Sequence, residues 1–161
     1  MNIDYRQAEP ADASAVATLA FALTVEICAR SNATHFGIDL AGTIRRCEEL
    51  MSQGLYAAIL GWSEELPVAV ATLTETHALY AGGKIGIIQE FYVVPEVRSS
   101  TVGASLLDAV REYGRTRDWS CIELCTPPLP EFERTLQFYV ANGLNPVGGR
   151  KMRQMLNKAD A

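Results

Sequence analysis

Hydrophobic and polar positions change their spacing several times along the chain, and each change predicts a new element. Residues 2–9 alternate as in a β-strand and stop at Pro10. The stretches 10–29 and 39–52 carry apolar residues three and four positions apart, as on one face of a helix. The chain therefore begins with a strand followed by two helices.

A β-rich pattern then replaces the helical one. The runs 55–62, 67–76 and 84–94 are separated by turn-like segments, which predicts an antiparallel meander. The remaining predicted elements are a helix at 101–117, a short buried strand at 120–126, a helix at 129–143 and strand-like segments at 144–147 and 150–156. This order predicts one α+β (mixed α/β) domain over residues 1–161, with about seven strands and about four helices.

Net charge and hydropathy bear on whether the protein binds nucleic acid, spans a membrane or is secreted. The 14 Lys and Arg residues against 19 Asp and Glu give a net charge of −5, which disfavours general binding to nucleic acid. We find no apolar run of 18 or more residues and expect no membrane span, and the charged start "MNIDYRQAEP" is unlike a secretion signal. We therefore expect a cytoplasmic protein without a membrane partner.

The four cysteines do not form a metal-binding pattern. Cys28, Cys47, Cys121 and Cys125 include no pair spaced as CxxC, and the chain has only two histidines. We expect no metal site. Buried reduced thiols are the simplest interpretation.

The stretch "VVPEVRSSTVGASLL" (93–107) joins a strand to a helix through small residues. A helix start leaves backbone N–H groups unpaired and favours anions, and Arg98 with its neighbouring hydroxyls would add donors. From spacing alone, a serine-rich helix cap without a ligand explains the stretch equally well.

Two motifs together resemble a known family. "FYVVPEVRSSTVGASLLDAV" is similar to the acetyl-CoA loop of the GCN5-related N-acetyltransferases, and "RTLQFYVANGL" (134–144) resembles their second marker. The opening strand and helix and the order of elements also match, so the resemblance covers nearly the whole chain. Thr101 stands where the family has its first glycine, and Phe132 stands where an asparagine is common. A positive φ would strain Thr101, whereas a place in the helix would suit it.

The resemblance implies an acetyl-CoA-dependent N-acetyltransferase, with direct attack by a primary amine of a small molecule or peptide through a tetrahedral intermediate. It implies a sheet whose fourth and fifth strands are splayed by a bulge, and it is compatible with a homodimer. The cofactor-binding residues carried over are Phe91, Tyr92, Val93, Arg98, Ser99, Ser100, Thr101, Val102, Gly103 and Ala104. Tyr139 matches the general acid, and a core tyrosine is the alternative.

Glu90, directly before the expected bulge, is either a base or substrate ligand, or a solvent-facing residue. Weaker candidates for the site are Glu26, His35, Glu75, His77 and Glu123. Two other functions stay open at this point: a non-catalytic acyl-CoA-binding or regulatory domain on the same fold, and an interaction module without a ligand.

Overall fold

The computed structural model describes residues 2–32 and 37–156, which form a five-stranded sheet and four α-helices. The elements in chain order are β1 (Asp4–Gln7), α1 (Ala13–Ser31), α2 (Leu40–Ser52), β2 (Ala57–Ser63), β3 (Leu66–Ala78), β4 (Gly83–Val93), α3 (Ser100–Thr116), β5 (Cys121–Leu124) and α4 (Glu133–Ala141). The predicted mixed class and the four helices are confirmed.

The prediction of about seven strands is wrong, because the described part of the chain holds five. The segments 144–147 and 150–156 form no strand. Pro146 has no N–H to donate to a ladder, and Gly148 and Gly149 have φ angles of +85° and +80°, far from β geometry. The apolar pattern of this tail suited a strand, but a strand also needs a partner.

The sheet has the order β1-β2-β3-β4-β5. The first four strands are antiparallel neighbours, while β5 lies parallel to β4 and is reached through the crossover helix α3. This crossover brings the start of α3 to the end of β4 where β5 also ends. The candidate site lies at that edge.

Side-chain alternation along β3 separates two cores. Val70 packs in the cluster that α1 and α2 cover, together with Val16 and Met51. Its neighbour Ala71 points to the opposite face and packs with Leu107 of α3. Because successive strand residues face opposite sides, one apolar run supplies both layers of the core.

A β-bulge interrupts the ladder between β3 and β4. Thr72 pairs with Glu90, but the next residue, Leu73, pairs with Ile88, which leaves Gln89 without a partner in β3. A bulge of this kind bends the strand and increases its twist. The bulge therefore precedes Glu90, and its expected place after this residue is corrected.

One helix is apolar enough to raise a second interpretation. By length and composition the described stretch 10–31 could span a membrane, with a mean hydropathy of 1.5 over an 18-residue window, contrary to the expectation that no such run exists. In the fold it packs against α2, and its residues Ala13, Val16 and Leu19 are buried in the first core.

The four cysteines are free thiols with different surroundings. Cys47 is buried, and burial, with a smaller effect of the nearby Glu90 charge, raises its pKa to about 11. Cys28 is half-buried, whereas Cys121 and Cys125 are exposed. The prediction of buried thiols is therefore wrong for the last two, because β5 is an edge strand with one uncovered side.

Trp119 fills a corner that two glycines leave open. A Cβ at Gly86 of β4 would lie 2.0 Å from the indole, and a Cβ at Gly114 of α3 would lie 2.5 Å from it. Tyr113 packs edge-on at 5.5 Å between ring centroids. The indole N–H donates to Glu75 at 2.9 Å. The corner thus anchors the parallel strand to the rest of the sheet.

Glu75 makes the stability of this corner depend on pH. The two hydrogen bonds that Arg117 donates, at 2.7 and 3.0 Å, are the largest cause that lowers the pKa of Glu75 to about 2 from 4.5. Because the pKa is lower in the folded state, the stabilisation is present above about pH 4.5 and is lost as pH falls toward 2. We expect the free energy of unfolding, measured with urea, to decrease through this window.

Glu75→Gln is the matched variant for that measurement. It is expected to be less stable than the wild type near pH 6 and to lose less stability on acidification, since it lacks the titrating carboxyl. Parallel pH profiles for the two proteins would contradict the assignment to Glu75.

Candidate active site

A cavity of about 920 Å³ opens where β4 and β5 diverge. Its walls come from one face of α1, the end of β4, the first turn of α3, the chain after β5 and the inner face of α4. A cleft of this size accommodates a cofactor-sized molecule. This cavity is therefore the candidate site for the predicted chemistry.

The divergence leaves part of β4 unpaired on one side. β5 pairs only with Ile85–Ile88, although β4 continues to Val93. Pro127 and Pro128, which follow β5, cannot donate to a ladder, so the chain leaves the sheet there. The N–H and C=O groups of 91–93 on this side are consequently free of a neighbouring strand among the described residues and face the cavity.

The first turn of α3 forms the second wall of the predicted cradle. Ser99 is the N-cap residue, and its Oγ accepts a bond from the Val102 N–H at 3.4 Å and shares another with Thr101 Oγ1 at 3.0 Å. Thr101 lies inside the helix and is not among the residues with positive φ. The departure from glycine at Thr101 therefore carries no backbone strain.

The structure places the ten predicted cofactor-binding residues on the end of β4, the first turns of α3 and the connection between them. Those that line the cavity are Phe91, Tyr92, Val93, Arg98, Ser99 and Gly103. Ser100 begins α3, and Thr101, Val102 and Ala104 lie in the same two turns without lining the cavity. The sequence prediction thus found a contiguous surface, while the contacts with a cofactor stay a prediction.

Gly103 allows α3 and α4 to approach closely. A Cβ at this position would lie 2.8 Å from the ring of Phe138. Phe138 in turn packs against Phe91 and Tyr139, at centroid distances of 6.0 and 5.2 Å. The glycine of the motif therefore places the aromatic floor of the cavity beside the start of α3.

Tyr139 is buried, 6 % exposed, and lines the cavity next to the divergence. Its ring packs edge-on against Phe91 at 5.8 Å. The hydroxyl makes no hydrogen bond to any residue in the described part of the chain, and burial raises its pKa well above the ordinary 10. The phenol is thus protonated at neutral pH and available to a molecule in the cavity.

Glu90 faces the other side of the sheet. Its carboxylate accepts hydrogen bonds from Tyr56, at 2.7 Å, and from Thr72, while its own N–H donates to Thr72 Oγ1 at 2.9 Å. Burial raises the pKa of Tyr56, and the Glu90 charge adds to this effect. Glu90 does not line the cavity that contains Tyr139, and its bonds hold the bulge. The catalytic role of Glu90 stays a prediction.

Three arginines that the sequence analysis did not weigh as acceptor-site groups bring positive charge to the cavity. Among the described residues, Arg30, Arg98 and Arg134 line it with a single carboxylate, that of Glu26. Glu26 pairs with Arg98 at 2.6 Å and with Arg30 at 3.2 Å. The i,i+4 spacing of Glu26 and Arg30 predicts an ion pair on α1. Only the fold shows that this pair faces the cavity.

The other weaker candidates lie elsewhere. Glu75 belongs to the Trp119 corner, His77 is exposed on β3, and Glu123 accepts a bond from Tyr80 at 3.1 Å. None of these three lines the cavity. His35 lies outside the described residues.

Comparison with known proteins rests on the fold. No family model matches the sequence, and no curated protein matches it. Among solved structures, the aminoglycoside N-acetyltransferase AAC(6')-Iy in complex with CoA aligns over 97 % of this chain and 96 % of its own, with a TM-score of 0.78 and 16 % identity.

Two further structures give the same result. A ribosomal-protein-alanine N-acetyltransferase from Brucella melitensis biovar Abortus 2308 aligns over 96 % of this chain and 100 % of its own, with a TM-score of 0.72 and 17 % identity. An acetyltransferase from Clostridium acetobutylicum with acetyl-CoA has a TM-score of 0.72 and 16 % identity, over 95 % of this chain and 96 % of its own. The predicted resemblance is confirmed at the level of architecture: this chain has the fold of the GCN5-related N-acetyltransferases.

Proposed function

We propose that the protein is an acetyl-CoA-dependent N-acetyltransferase whose acceptor is a primary amine of a small molecule or a peptide. The observation that carries this proposal is Tyr139, whose ring is buried while its protonated hydroxyl has no hydrogen-bond partner among the described residues. It lies in the cleft beside an unpaired strand edge and a helix N-terminus. A proton donor, a strand-like docking edge and an anion cradle would serve the leaving thiolate, the pantetheine and the pyrophosphate of acetyl-CoA, respectively.

The unpaired edge of β4 and the start of α3 would each bind a different part of acetyl-CoA. The backbone groups of 91–93 that have no neighbouring strand, apart from the Val93 carbonyl that Arg98 already bonds at 2.8 Å, would bond an extended pantetheine chain as a further strand would. The amides of the first turn of α3, apart from the Val102 N–H that Ser99 caps, would face the pyrophosphate, because they lack intrahelical acceptors and carry partial positive charge. Acetyl-CoA supplies the acetyl group as a thioester.

Tyr139 would donate its proton to the departing CoA thiolate. Its raised pKa keeps the proton in place near neutral pH, and the low polarity around Phe91 and Phe138 strengthens the hydrogen bond it makes. The carbonyl oxygen would meet backbone N–H donors at the splayed edge as negative charge develops on it. The proton lost by the attacking amine would pass to water, since the one carboxylate of the described cavity wall, that of Glu26, is paired with Arg98 and Arg30.

The charge of the cavity bears on the acceptor. Three arginines and one glutamate line it, and this glutamate is already bonded to two of the arginines. A second or third ammonium group would meet like charge there. Leu23, Ile27 and Phe132 add an apolar wall. We therefore favour a monoamine with an apolar body over a polyamine.

The alternative is a domain that binds acyl-CoA without catalysis. The position of Glu90 on the opposite face of the sheet favours this alternative, because it removes the predicted base from the cavity wall. The open hydroxyl of Tyr139 counts against it.

Calorimetry with acetyl-CoA, followed by a free-thiol release assay on an amine panel, tests the function. We expect a Kd between about 1 µM and 1 mM, the usual range for enzyme substrates. We also expect phenethylamine to release thiol about tenfold faster than spermidine under matched conditions, because like charge disfavours the latter. Binding without thiol release from any amine would favour the alternative, and no binding near millimolar ligand would contradict both.

A further inference from the structure

The guanidinium of Arg98 is occupied on two sides. Its Nε donates to the carbonyl of Val93 at 2.8 Å, and its two terminal nitrogens donate to the two carboxylate oxygens of Glu26 at 3.0 and 2.6 Å. This is the bidentate fork that gives arginine–carboxylate pairs their geometric specificity. The main-chain N–H of Arg98 donates to the Pro95 carbonyl at 3.3 Å.

These bonds connect elements on the two sides of the cleft. Val93 ends the unpaired edge of β4, and Glu26 lies in the last two turns of α1. Glu26 also accepts from Arg30, which donates to the Glu131 carbonyl at 2.6 Å. The Arg30 guanidinium lies 4.0 Å from the ring centroid of Phe132, on the opposite wall. A continuous chain of polar contacts thus runs from the strand edge across α1 to the loop before α4.

We propose that Glu26 is a positioning residue that holds Arg98 as a strut between α1 and the end of β4, so that Arg98 sets the width of the cleft for pantetheine and does not ligate the pyrophosphate. The proposal deepens the proposed function and rests on it. The phosphate cradle is then left to the amides of α3, which explains why the loop needs few glycines and no free side-chain cation.

The strut contributes little to folding. The side chains of Arg98 and Glu26 are 40 % and 22 % exposed, and ion pairs with this degree of exposure add little to stability. The contact between Arg98 and Glu26 acts instead on the position of the unpaired β4 edge. A small displacement of this edge lowers the affinity for the cofactor sharply. The melting temperature should therefore change little when the strut is removed, whereas cofactor affinity should change.

A double-mutant cycle on CoA binding tests this role. We expect Glu26→Ala and Arg98→Ala each to raise the Kd for CoA about tenfold, and the double variant to be no worse than either, because both remove one strut. The dependence of log Kd on log salt concentration should keep its slope in Arg98→Ala, since no phosphate contact is lost. Glu112→Ala and Arg115→Ala, an exposed pair on α3, are the matched controls and should leave the Kd unchanged.

Arg98→Lys separates the strut from a phosphate ligand. Lysine binds phosphate as a point charge but cannot form the fork, so the strut predicts that this variant behaves like Arg98→Ala. Retained affinity in Arg98→Lys, or CoA binding in Glu26→Ala as tight as in the wild type or tighter, would overturn the strut alone. A wild-type protein that does not bind CoA would overturn the proposed function as well.

Discussion

Tyr139→Phe is expected to lower the rate of acetyl transfer by about 100-fold or more, the usual contribution of a positioned proton donor. The ring would stay in its place, because its contacts with Phe91 and Phe138 involve no hydroxyl. Affinity for acetyl-CoA should therefore stay within about twofold of the wild type, since the backbone edge and the start of α3 are unchanged. Thiol release and calorimetry on the same preparations measure the two quantities.

Tyr113→Phe is the control for this experiment. Tyr113 is a partly buried tyrosine whose ring packs on Trp119, away from the cavity, so its hydroxyl should not affect turnover. If Tyr139→Phe turned over at the wild-type rate, Tyr139 would not be the acid. A large loss of acetyl-CoA affinity in that variant would instead show that the hydroxyl holds the co-substrate.

Gly86→Ala is expected to lower the free energy of unfolding by about 3 kcal/mol, at the upper end of the usual cost of overpacking. The new methyl group would lie 2.0 Å from the Trp119 ring, which is confined by Gly114 behind it. Either the indole leaves its corner or β4 moves away from α3. Urea denaturation monitored by tryptophan fluorescence measures the loss and reports on the indole itself.

Gly83→Ala, in the same strand, provides the comparison. A Cβ at Gly83 would meet only the Ser120 hydroxyl, at 3.1 Å, and this side chain can rotate away. We expect a change of less than about 1 kcal/mol for it. The double variant Gly86→Ala with Trp119→Ala should be no less stable than Trp119→Ala alone. A further loss in the double variant would show that Gly86 is needed for another reason.

Six of the ten predicted cofactor-binding residues line the cavity beside β4, and their contacts with a cofactor stay a prediction. The strand, the small-residue loop and the helix of 84–117 are local features, and an amphipathic pattern with a helix cap specifies them without help from distant residues. The motif around Tyr139, residues 134–144, is also a local feature of the sequence. Their meeting at one cavity followed from the order of elements, because a crossover helix must return to the same end of the sheet.

The hydrophobic and polar pattern of the sequence did not predict the contacts between residues that are distant along the chain. Glu90 was expected before a bulge, yet the register with β3 places the bulge at Gln89 and turns the carboxylate toward Thr72 and Tyr56. A one-residue difference in register moves a side chain to the opposite face of a sheet, so no local signal decides it. The prediction of strands at 144–147 and 150–156 was wrong for a similar reason. A strand must pair with another strand, and β-propensity alone does not supply that partner.

The sequence by itself therefore determined the four helices, the five strands of the sheet and their order, because spacing, caps and turns act within a few residues. Tertiary structure alone decided which charges face one another. Glu26 and Arg98 are 72 positions apart, and the bidentate bond between them depends on the packing of α1 against the end of β4. Hydrogen bonds require a match of a few tenths of an ångström between groups. Only the assembled core fixes distances that closely.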